Sequence, residues 1–130
     1  MGRDHRKLRV FHDAHVLAVE TYRQTCDFPR EERFGLRSQM RRAAVSIATN
    51  IVEGSARGSA RDYLRFLQIA FGSSCELQYL IVLVHDLELG PGSNWVALTA
   101  RCDRVVKQLN QLVERVAQLS EDEGRIISRR

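Results

Sequence analysis

The sequence has few of the residues that interrupt or cross-link a chain. Only two prolines occur among 130 residues, and no long run of glycine, serine or proline is present, so no linker or low-complexity segment divides the chain. Cys26, Cys75 and Cys102 are odd in number, scattered and without a C-x-x-C spacing. This pattern argues against a disulfide framework and a zinc site, and it predicts buried thiols. A chain of this length is expected to form one domain around one core.

Long apolar segments are also missing. The longest wholly apolar run is Leu80 to Val84, which is too short to cross a bilayer. The basic N-terminal segment is not followed by the apolar stretch and cleavage site of a secretion signal. We therefore expect a cytoplasmic protein, in a reducing environment, with no membrane partner.

Lysine is scarce, and it occurs only at Lys7 and Lys107, although the formal net charge is +4 and the sequence pI is near 9.3. The positive charge is therefore almost entirely arginine. A guanidinium group binds phosphate through a planar fork and stacks on bases, so this bias suits a polyanionic partner. The alternative is that an arginine-rich genome supplies arginine at every position.

One stretch in the middle of the chain has the clearest helical pattern. Its apolar residues recur at helical spacing, at Leu36, Met40, Ala43, Ala44, Ile47 and Ile51. No charged residue occurs from Ala43 to Val52, so this helix must be covered on more than one side, by its own chain or by a second copy.

Three further helices are predicted around it. Helix one has a core face of Phe11, Ala14, Ala18, Tyr22 and Cys26 and ends before Phe28-Pro29. Ser59 caps helix three and Ser93 caps helix four. The last core face is Trp95, Leu98, Cys102, Val105, Leu109, Leu112, Val116 and Leu119. The predicted helices span residues 11–26, 36–54, 60–89 and 95–120. Their short connections predict an all-α fold, an antiparallel up-down-up-down four-helix bundle. Residues 1–120 form this single domain, and 121–130 are expected to be a flexible tail.

Helix three carries two apolar seams. The first comprises Leu67, Ala70, Ser74, Leu77, Ile81 and Val84, and the second Phe66, Ile69, Leu80, Leu83 and Leu87. A single bundle core accounts for only one seam, so the second predicts a homo-oligomer, with Phe66, Ile69, Leu80 and Leu83 as interface candidates. The alternative is that helix three is the most buried helix of a monomer.

Residues 28–77 closely resemble the four-helix-bundle proteins named after the 23S ribosomal RNA intervening sequence. The matching motifs are Phe-Gly-Leu at 34–36, Arg-Arg-Ala-Ala at 41–44, Asn-Ile-x-Glu-Gly at 50–54, Arg-Phe-Leu at 65–67 and Gly-Ser at 72–73. Two residues depart from the pattern, Val52 where alanine is commonest and Phe71 where a polar or basic residue is frequent.

The resemblance implies a bundle that assembles into a homopentameric ring. A related branch is the accessory protein of diversity-generating retroelements, which binds nucleic acid and a reverse transcriptase. For most members no biochemical activity is established, and the family name records a gene location.

The best candidates for binding the backbone of RNA or DNA are Arg37, Arg41, Arg42, Arg57, Arg61 and Arg65. From Arg33 to Arg65 arginines far outnumber the acids Glu53 and Asp62, and such clusters bind phosphates without reading sequence. Alternatively, some of these arginines pair with Glu53, Asp62 or Glu76 inside the protein.

Other polar residues are interpreted as structural. Asn50 and Glu53 are expected to satisfy backbone groups of the Gly54–Ser59 turn or to pair with an arginine, and Glu76 is a third structural candidate. His12 and His15 lack the Glu-x-x-His partners of a di-metal bundle site. We expect no catalytic residue, metal or cofactor. The predicted function is therefore a non-enzymatic oligomer that binds RNA or DNA, and the alternative is a scaffold for a protein partner.

Overall fold

The computed structural model describes residues 3–129, which form four long helices and two short 3-10 turns. The long helices are α1 (Arg9–Gln24), α2 (Leu36–Ser55), α3 (Ala60–Asp86) and α4 (Trp95–Ser128). The 3-10 turns at His5–Lys7 and Arg30–Glu32 precede α1 and α2. No strand occurs within these residues. The prediction of an all-α protein with four helices is confirmed.

Side-chain contacts fix the direction of each helix against its neighbours. In three of the adjacent pairs two contacts run in opposite senses along the two helices. The pairs are Asp13 with Gln108 and Gln24 with Asn94 between α1 and α4, Ser46 with Ser73 and Gly54 with Phe66 between α2 and α3, and Gln78 with Asp103 and Ala60 with Glu123 between α3 and α4. Thr25 at the end of α1 meets Arg41 in the early part of α2. The helices therefore alternate in direction around the bundle.

The core lies along the predicted stripes of the last three helices. In α2 the predicted apolar residues from Met40 to Ile51 are all buried, and Leu36 is half-buried. The first seam of α3, from Leu67 to Val84, is buried throughout. The stripe of α4 is buried from Trp95 to Val116 and ends there, because Leu119 is 53% exposed.

The predicted core face of α1 was wrong in part. Its buried residues are Val10, Ala14, Leu17 and Thr21, whereas Tyr22 and Cys26 are exposed. The apolar pattern of α1 offered two neighbouring stripes, and the one that carries Leu17 fills the interior. Tyr22 lies outside it, where its ring meets a side chain of α2.

Two predictions about α4 also needed correction. Asn94 rather than Ser93 caps this helix, since its Oδ1 accepts a hydrogen bond from Ala97 N at 3.0 Å, while Ser93 Oγ donates to the carbonyl of Gln24. The helix does not end at residue 120 but continues to Ser128. Glu123 explains part of this extension, because its carboxylate accepts a hydrogen bond from Ala60 N at the start of α3, at 3.0 Å.

By length and composition α3 is the one helix of residues 3–129 that could span a membrane. The core helix of a bundle has the same composition. Here α3 lies between α2 and α4 and contributes a continuous buried seam to the interior. Its apolar character is therefore explained by its central position in the fold.

Candidate nucleic-acid interface

The turn before α2 projects an aromatic ring into solvent. Glu32 folds back so that its Oε2 accepts a hydrogen bond from Leu36 N at 3.1 Å, which caps α2. A Cβ atom at Gly35 would lie only 3.1 Å from the same carboxylate oxygen, so the glycine leaves room for this cap. Phe34 lies between these two residues and is 86% exposed. The capped turn therefore holds Phe34 at the N-terminal end of α2, outside the core.

Phe34 borders an open groove of about 640 Å³ along the outer face of α2, which we call the arginine groove. Its lining residues are Tyr22, Arg33, Phe34, Arg37, Ser38, Arg41, Arg42, Val45, Ser46 and Thr49. The lining thus contains four arginines and two aromatic rings but no carboxylate. Its remaining residues are Ser38, Val45, Ser46 and Thr49, and the last three belong to the stretch of α2 without charges.

Arg41 is fixed at the side of this groove by α1. Its Nε donates to Thr25 Oγ1 at 2.9 Å, and its Nη2 donates to the carbonyl oxygen of Tyr22 at 3.0 Å. Its guanidinium carbon also lies 4.4 Å from the centroid of the Tyr22 ring. Hydrogen bonds from a charged donor and a cation–π contact both stabilise this arrangement. Arg41 therefore joins α1 to α2, and its polar atoms are largely engaged.

The other arginines of the groove are free to bind a ligand. Within residues 3–129 the side chains of Arg37 and Arg42 form no hydrogen bond and no ion pair. Arg33 lies over the Phe34 ring, with its guanidinium carbon 5.5 Å from the ring centroid. Three uncompensated guanidinium groups beside an uncharged surface create a local positive potential that attracts anions.

A second basic cluster lies where α2 turns into α3. The guanidinium carbons of Arg57 and Arg65 lie 4.6 and 5.2 Å from the centroid of the Phe66 ring, and Arg61 is exposed beside them. Gly54 brings the two helices together here, since a Cβ atom on it would be 2.9 Å from Phe66 Cβ.

The six predicted arginines therefore form two sites rather than one. Arg37, Arg41 and Arg42 lie near the start of α2, whereas Arg57, Arg61 and Arg65 surround its end. At about 1.5 Å per residue, Arg42 and Arg57 are separated by roughly 20 Å along the helix axis. A single phosphate group cannot bridge the two clusters.

The alternative that these arginines pair with Glu53, Asp62 or Glu76 is wrong for the described part of the chain. The ion pairs there are Asp4–Arg6, Glu20–Arg23, His85–Asp86, Glu121–Arg125 and Asp122–Arg125. Arg41 is structural, but through a hydroxyl, a carbonyl and an aromatic ring rather than a carboxylate.

The predicted roles of the structural polar residues also change. Asn50 does not reach the Gly54–Ser59 turn, because its Nδ2 donates to Ser46 O at 2.8 Å and to Ser46 Oγ at 3.1 Å. Ser46 Oγ in turn lies 2.8 Å from Ser73 Oγ on α3, so these residues join the two helices. Glu53 is exposed. Glu76 is also exposed and lines, with Arg42, a depression of about 400 Å³ between α2 and α3.

The four candidates for an oligomer interface differ in exposure. Leu80 is buried inside the monomer, so its assignment to an outer seam was wrong. Phe66 and Leu83 are half-buried, whereas Ile69 is 47% exposed. The second seam of α3 is therefore partly covered by its own chain, and Ile69 remains the most accessible of the four.

Three charged or aromatic residues of the arginine groove were missed as site candidates. Arg33 and Phe34 lie in the turn before α2, and helical periodicity carries no information about residues in turns. Tyr22 was assigned to the core because its spacing matches an apolar stripe. An aromatic residue inside an arginine-rich stretch was the signal that could have singled out Phe34, since this combination is typical of nucleic-acid-binding surfaces.

The thiols are not uniformly buried as predicted. Cys26 is exposed and Cys75 half-buried, and only Cys102 is buried. Removal from water raises the pKa of Cys102 to about 12, with a small contribution from Asp103. Burial also raises the pKa of Tyr63. No group of three or more histidine, cysteine, aspartate or glutamate residues within residues 3–129 is arranged to hold a metal ion.

Residues 6–111 match the sequence profile of the 23S rRNA-intervening sequence protein family. The fold is similar to a crystal structure of a protein of unknown function from the S23 ribosomal protein family of Bacteroides thetaiotaomicron VPI-5482. The TM-score is 0.69 at 21% sequence identity, and the similarity covers 80% of this chain and 97% of the other. No curated protein matches this chain. At this identity the structural similarity supports the fold alone.

Proposed function

The chain belongs to the 23S rRNA-intervening sequence protein family, and from this premise we propose that it is a non-enzymatic, homo-oligomeric protein that binds RNA or DNA backbone. The single observation that carries the proposal is the arginine groove, with its four arginines and no carboxylate among the lining residues. Since the other lining residues are uncharged, every charged side chain that lines the groove attracts an anion.

The absence of a general base from the groove supports binding without chemistry. No histidine, carboxylate or cysteine is among its lining residues. These groups serve as the base or nucleophile in most enzymes, and a serine such as Ser38 needs a general base beside it to be activated. A cytoplasmic location accords with the free cysteines, since thiols persist in a reducing compartment.

Association of several copies is supported by the exposed apolar side chains of α3. Ile69 and Val82 on this helix are 47% and 50% exposed. Apolar residues on central helices of a bundle gain free energy when a second copy covers them. The family resemblance favours a pentamer. Light scattering tests this part separately, because a mass near the 14.9 kDa of one chain would exclude association.

Fluorescence anisotropy with labelled RNA and DNA oligonucleotides tests the binding proposal. If Arg33, Arg37 and Arg42 each neutralise one phosphate, log K against log salt falls with a slope of about −2 for a single strand. Affinity then falls roughly twentyfold between 50 and 200 mM salt. Absence of binding at micromolar protein, or binding that does not respond to salt, would exclude the proposal.

Charge reversal provides a matched control. The double variant Arg37→Glu/Arg42→Glu is expected to abolish binding, because it places two carboxylates in the groove. Arg101→Glu/Arg104→Glu changes the net charge by the same amount on the exposed face of α4. Within residues 3–129 α4 does not contact α2, so this variant is expected to bind with only a small loss. Equal losses in both variants would show that net charge, and not the groove, determines binding.

A second candidate function is a scaffold for a protein partner, with no nucleic-acid role. It is favoured by a mostly apolar depression of about 270 Å³ between α3 and α4, lined by Ile81, Val82, His85, Trp95, Val96 and Thr99. Val96 is 82% exposed at its edge. Pull-down under nuclease treatment, with wild type compared with Val96→Asp, tests this function. A protein captured by both chains, or by neither, would argue against it.

A further inference from the structure

We infer that the arginine groove takes single-stranded nucleic acid, with one unpaired base stacked on Phe34 and the flanking phosphates on Arg37 and Arg42. This inference rests on the proposed function and specifies its ligand. It depends on an aromatic ring that is 86% exposed and that shares the groove with two guanidinium groups, those of Arg37 and Arg42, which have no hydrogen-bond or ion-pair partner within the described residues.

The ring of Phe34 is accessible to a ligand. Its side chain is 86% exposed although phenylalanine is among the residues most often found inside proteins. The turn that presents it is held by the Glu32 cap on Leu36 N. The ring is therefore displayed by a defined backbone structure, and a planar ligand can approach it without any rearrangement of the core.

Two positively charged side chains, Arg37 and Arg42, line the same groove as the ring. Arg37 and Ser38 belong to the first turn of α2, directly after the turn that holds Phe34, and they line the groove together with it. Arg42 also lines this groove, and it lines the neighbouring depression as well, together with Ser46, Ser73 and Glu76. Phosphates bound at Arg37 and Arg42 would hold a strand in the groove that Phe34 borders.

Arg41 has a different role in the same groove. Its Nε and one Nη atom are engaged by Thr25 and Tyr22, so it is a positioning residue. It holds the Tyr22 ring, which is itself 44% exposed, against the side of the groove. The groove therefore has an aromatic ring at its end and another along its flank.

The ligand is single-stranded because a duplex cannot use Phe34. Bases inside a double helix are already paired and stacked on both faces, so a protein ring contributes only where a base is unpaired. A duplex can still bind the arginines through its phosphates. Phe34 should therefore affect the affinity for a single strand and leave the affinity for a duplex unchanged.

Anisotropy with a labelled 12-nucleotide oligouridine and a blunt 12-base-pair RNA duplex tests the inference. Phe34→Ala is expected to weaken the single-strand complex about tenfold, because the stacked base loses its contact with the ring. The duplex complex should change less than twofold. Tyr79→Ala is the matched control, since Tyr79 on α3 is also an exposed aromatic residue, at 61%, and it should change neither affinity.

Phe34→Trp adds a fluorescence measurement that responds only if a base stacks at this position. It should restore the affinity for oligouridine, and its indole fluorescence should be quenched when a base stacks on it. The only native tryptophan, Trp95, is 9% exposed and does not line the groove, so its signal is expected to stay constant.

The outcomes separate the two proposals. If wild type binds neither probe, the proposed function fails, and this inference fails with it. If binding depends on Arg37 and Arg42 but Phe34→Ala binds oligouridine as wild type does, the function stands and the stacking site is excluded. The stacking site is also excluded if Phe34→Ala weakens both probes equally or lowers the mass measured by light scattering, because Phe34 then supports subunit contacts or the fold.

Discussion

Gly54 of α2 lies against Phe66 of α3 so closely that a Cβ atom on the glycine would be 2.9 Å from Phe66 Cβ. It would also lie 3.1 Å from Tyr63 Cδ1. Both contacts involve atoms at or near the base of a packed side chain, which cannot move away without shifting the backbone. The close approach of these helices places the Phe66 ring beside Arg57 and Arg65.

Gly54→Ala is therefore expected to destabilise the fold, although alanine favours helix formation. Overpacking costs about 1–3 kcal/mol, and the gain in helix propensity offsets up to about 1 kcal/mol. A Cβ atom at Gly72 in α3 meets nothing within 4 Å, so Gly72→Ala is expected to stabilise the chain by up to about 1 kcal/mol. Urea unfolding at one fixed protein concentration measures both changes. If Gly54→Ala and Gly72→Ala have the same unfolding free energy, α2 and α3 are not in close contact at Gly54.

Arg41 and Arg42 are adjacent in sequence but are expected to respond differently to alanine. Arg41→Ala removes two hydrogen bonds to α1, at 2.9 and 3.0 Å, and should lower the unfolding free energy by about 1–3 kcal/mol. Arg42→Ala removes an exposed side chain and should change stability by less than about 0.5 kcal/mol. Thermal or urea unfolding of the two variants makes the comparison at equal net charge. Equal stability of the pair would contradict the assignment of Arg41 as the link between α1 and α2.

The burial of the Cys102 thiol predicts that the unfolding free energy decreases in alkaline solution. Its pKa is about 12 in the folded protein and about 8.5 in an unfolded chain. Above pH 8.5 the unfolded state therefore releases a proton that the folded state keeps, so the unfolding free energy falls as the pH rises. Between pH 8 and pH 10 this group accounts for a loss of about 2 kcal/mol.

The measurement is urea unfolding at several pH values for wild type and Cys102→Ala. The variant should lose about 2 kcal/mol less over this range, whatever its stability at pH 8. The raised pKa of Tyr63 acts in the same direction at higher pH and is present in both chains. Parallel curves for the two proteins would contradict the burial of the thiol.

Glu123 should contribute more to stability than Glu121, although the two carboxylates are two residues apart. Glu123 accepts the hydrogen bond of Ala60 N at 3.0 Å, at the positive end of α3, and Glu123→Ala should cost about 1 kcal/mol. Glu121 only forms a surface ion pair with Arg125 at 3.7 Å, so Glu121→Ala should cost less than about 0.5 kcal/mol. If the two variants unfold alike, the end of α4 does not cap α3 in solution.

Ile69 tests the proposed oligomer. Ile69→Lys places a charge on the most accessible of the predicted interface residues and should lower the mass measured by light scattering, because burying an unpaired charge is costly. Val96→Lys, at an 82% exposed position on α4, is the matched control and should leave the mass unchanged. If the mass of Ile69→Lys is unaltered, the interface does not include this part of α3.

Helical periodicity predicted the candidate core more accurately than it predicted the candidate site. The first seam of α3 and the stripe of α4 up to Val116 are buried as predicted. Each is a long, uninterrupted apolar pattern that allows only one face of the helix to be assigned to the core. In α1 two apolar stripes lie side by side, and the choice between Leu17 and Tyr22 depends on contacts with α2 and α4. Leu80 shows the same limit, because the pattern alone does not tell how far neighbouring helices cover a flank.

The sequence by itself determined the number of helices, the start of α2 at Leu36, the four-helix bundle and the concentration of arginine in its middle. These features follow from the spacing of apolar residues, the positions of glycine and proline, and the composition. All of these can be read from residues that are close together in the chain. Only the tertiary structure decided that the arginines divide into two clusters, that Arg41 is held by Thr25 and Tyr22, and that Phe34 remains outside. The physical reason is that hydrogen bonds and ring contacts between helices depend on how the helices are rotated about their axes. Spacing within one helix does not contain that rotation.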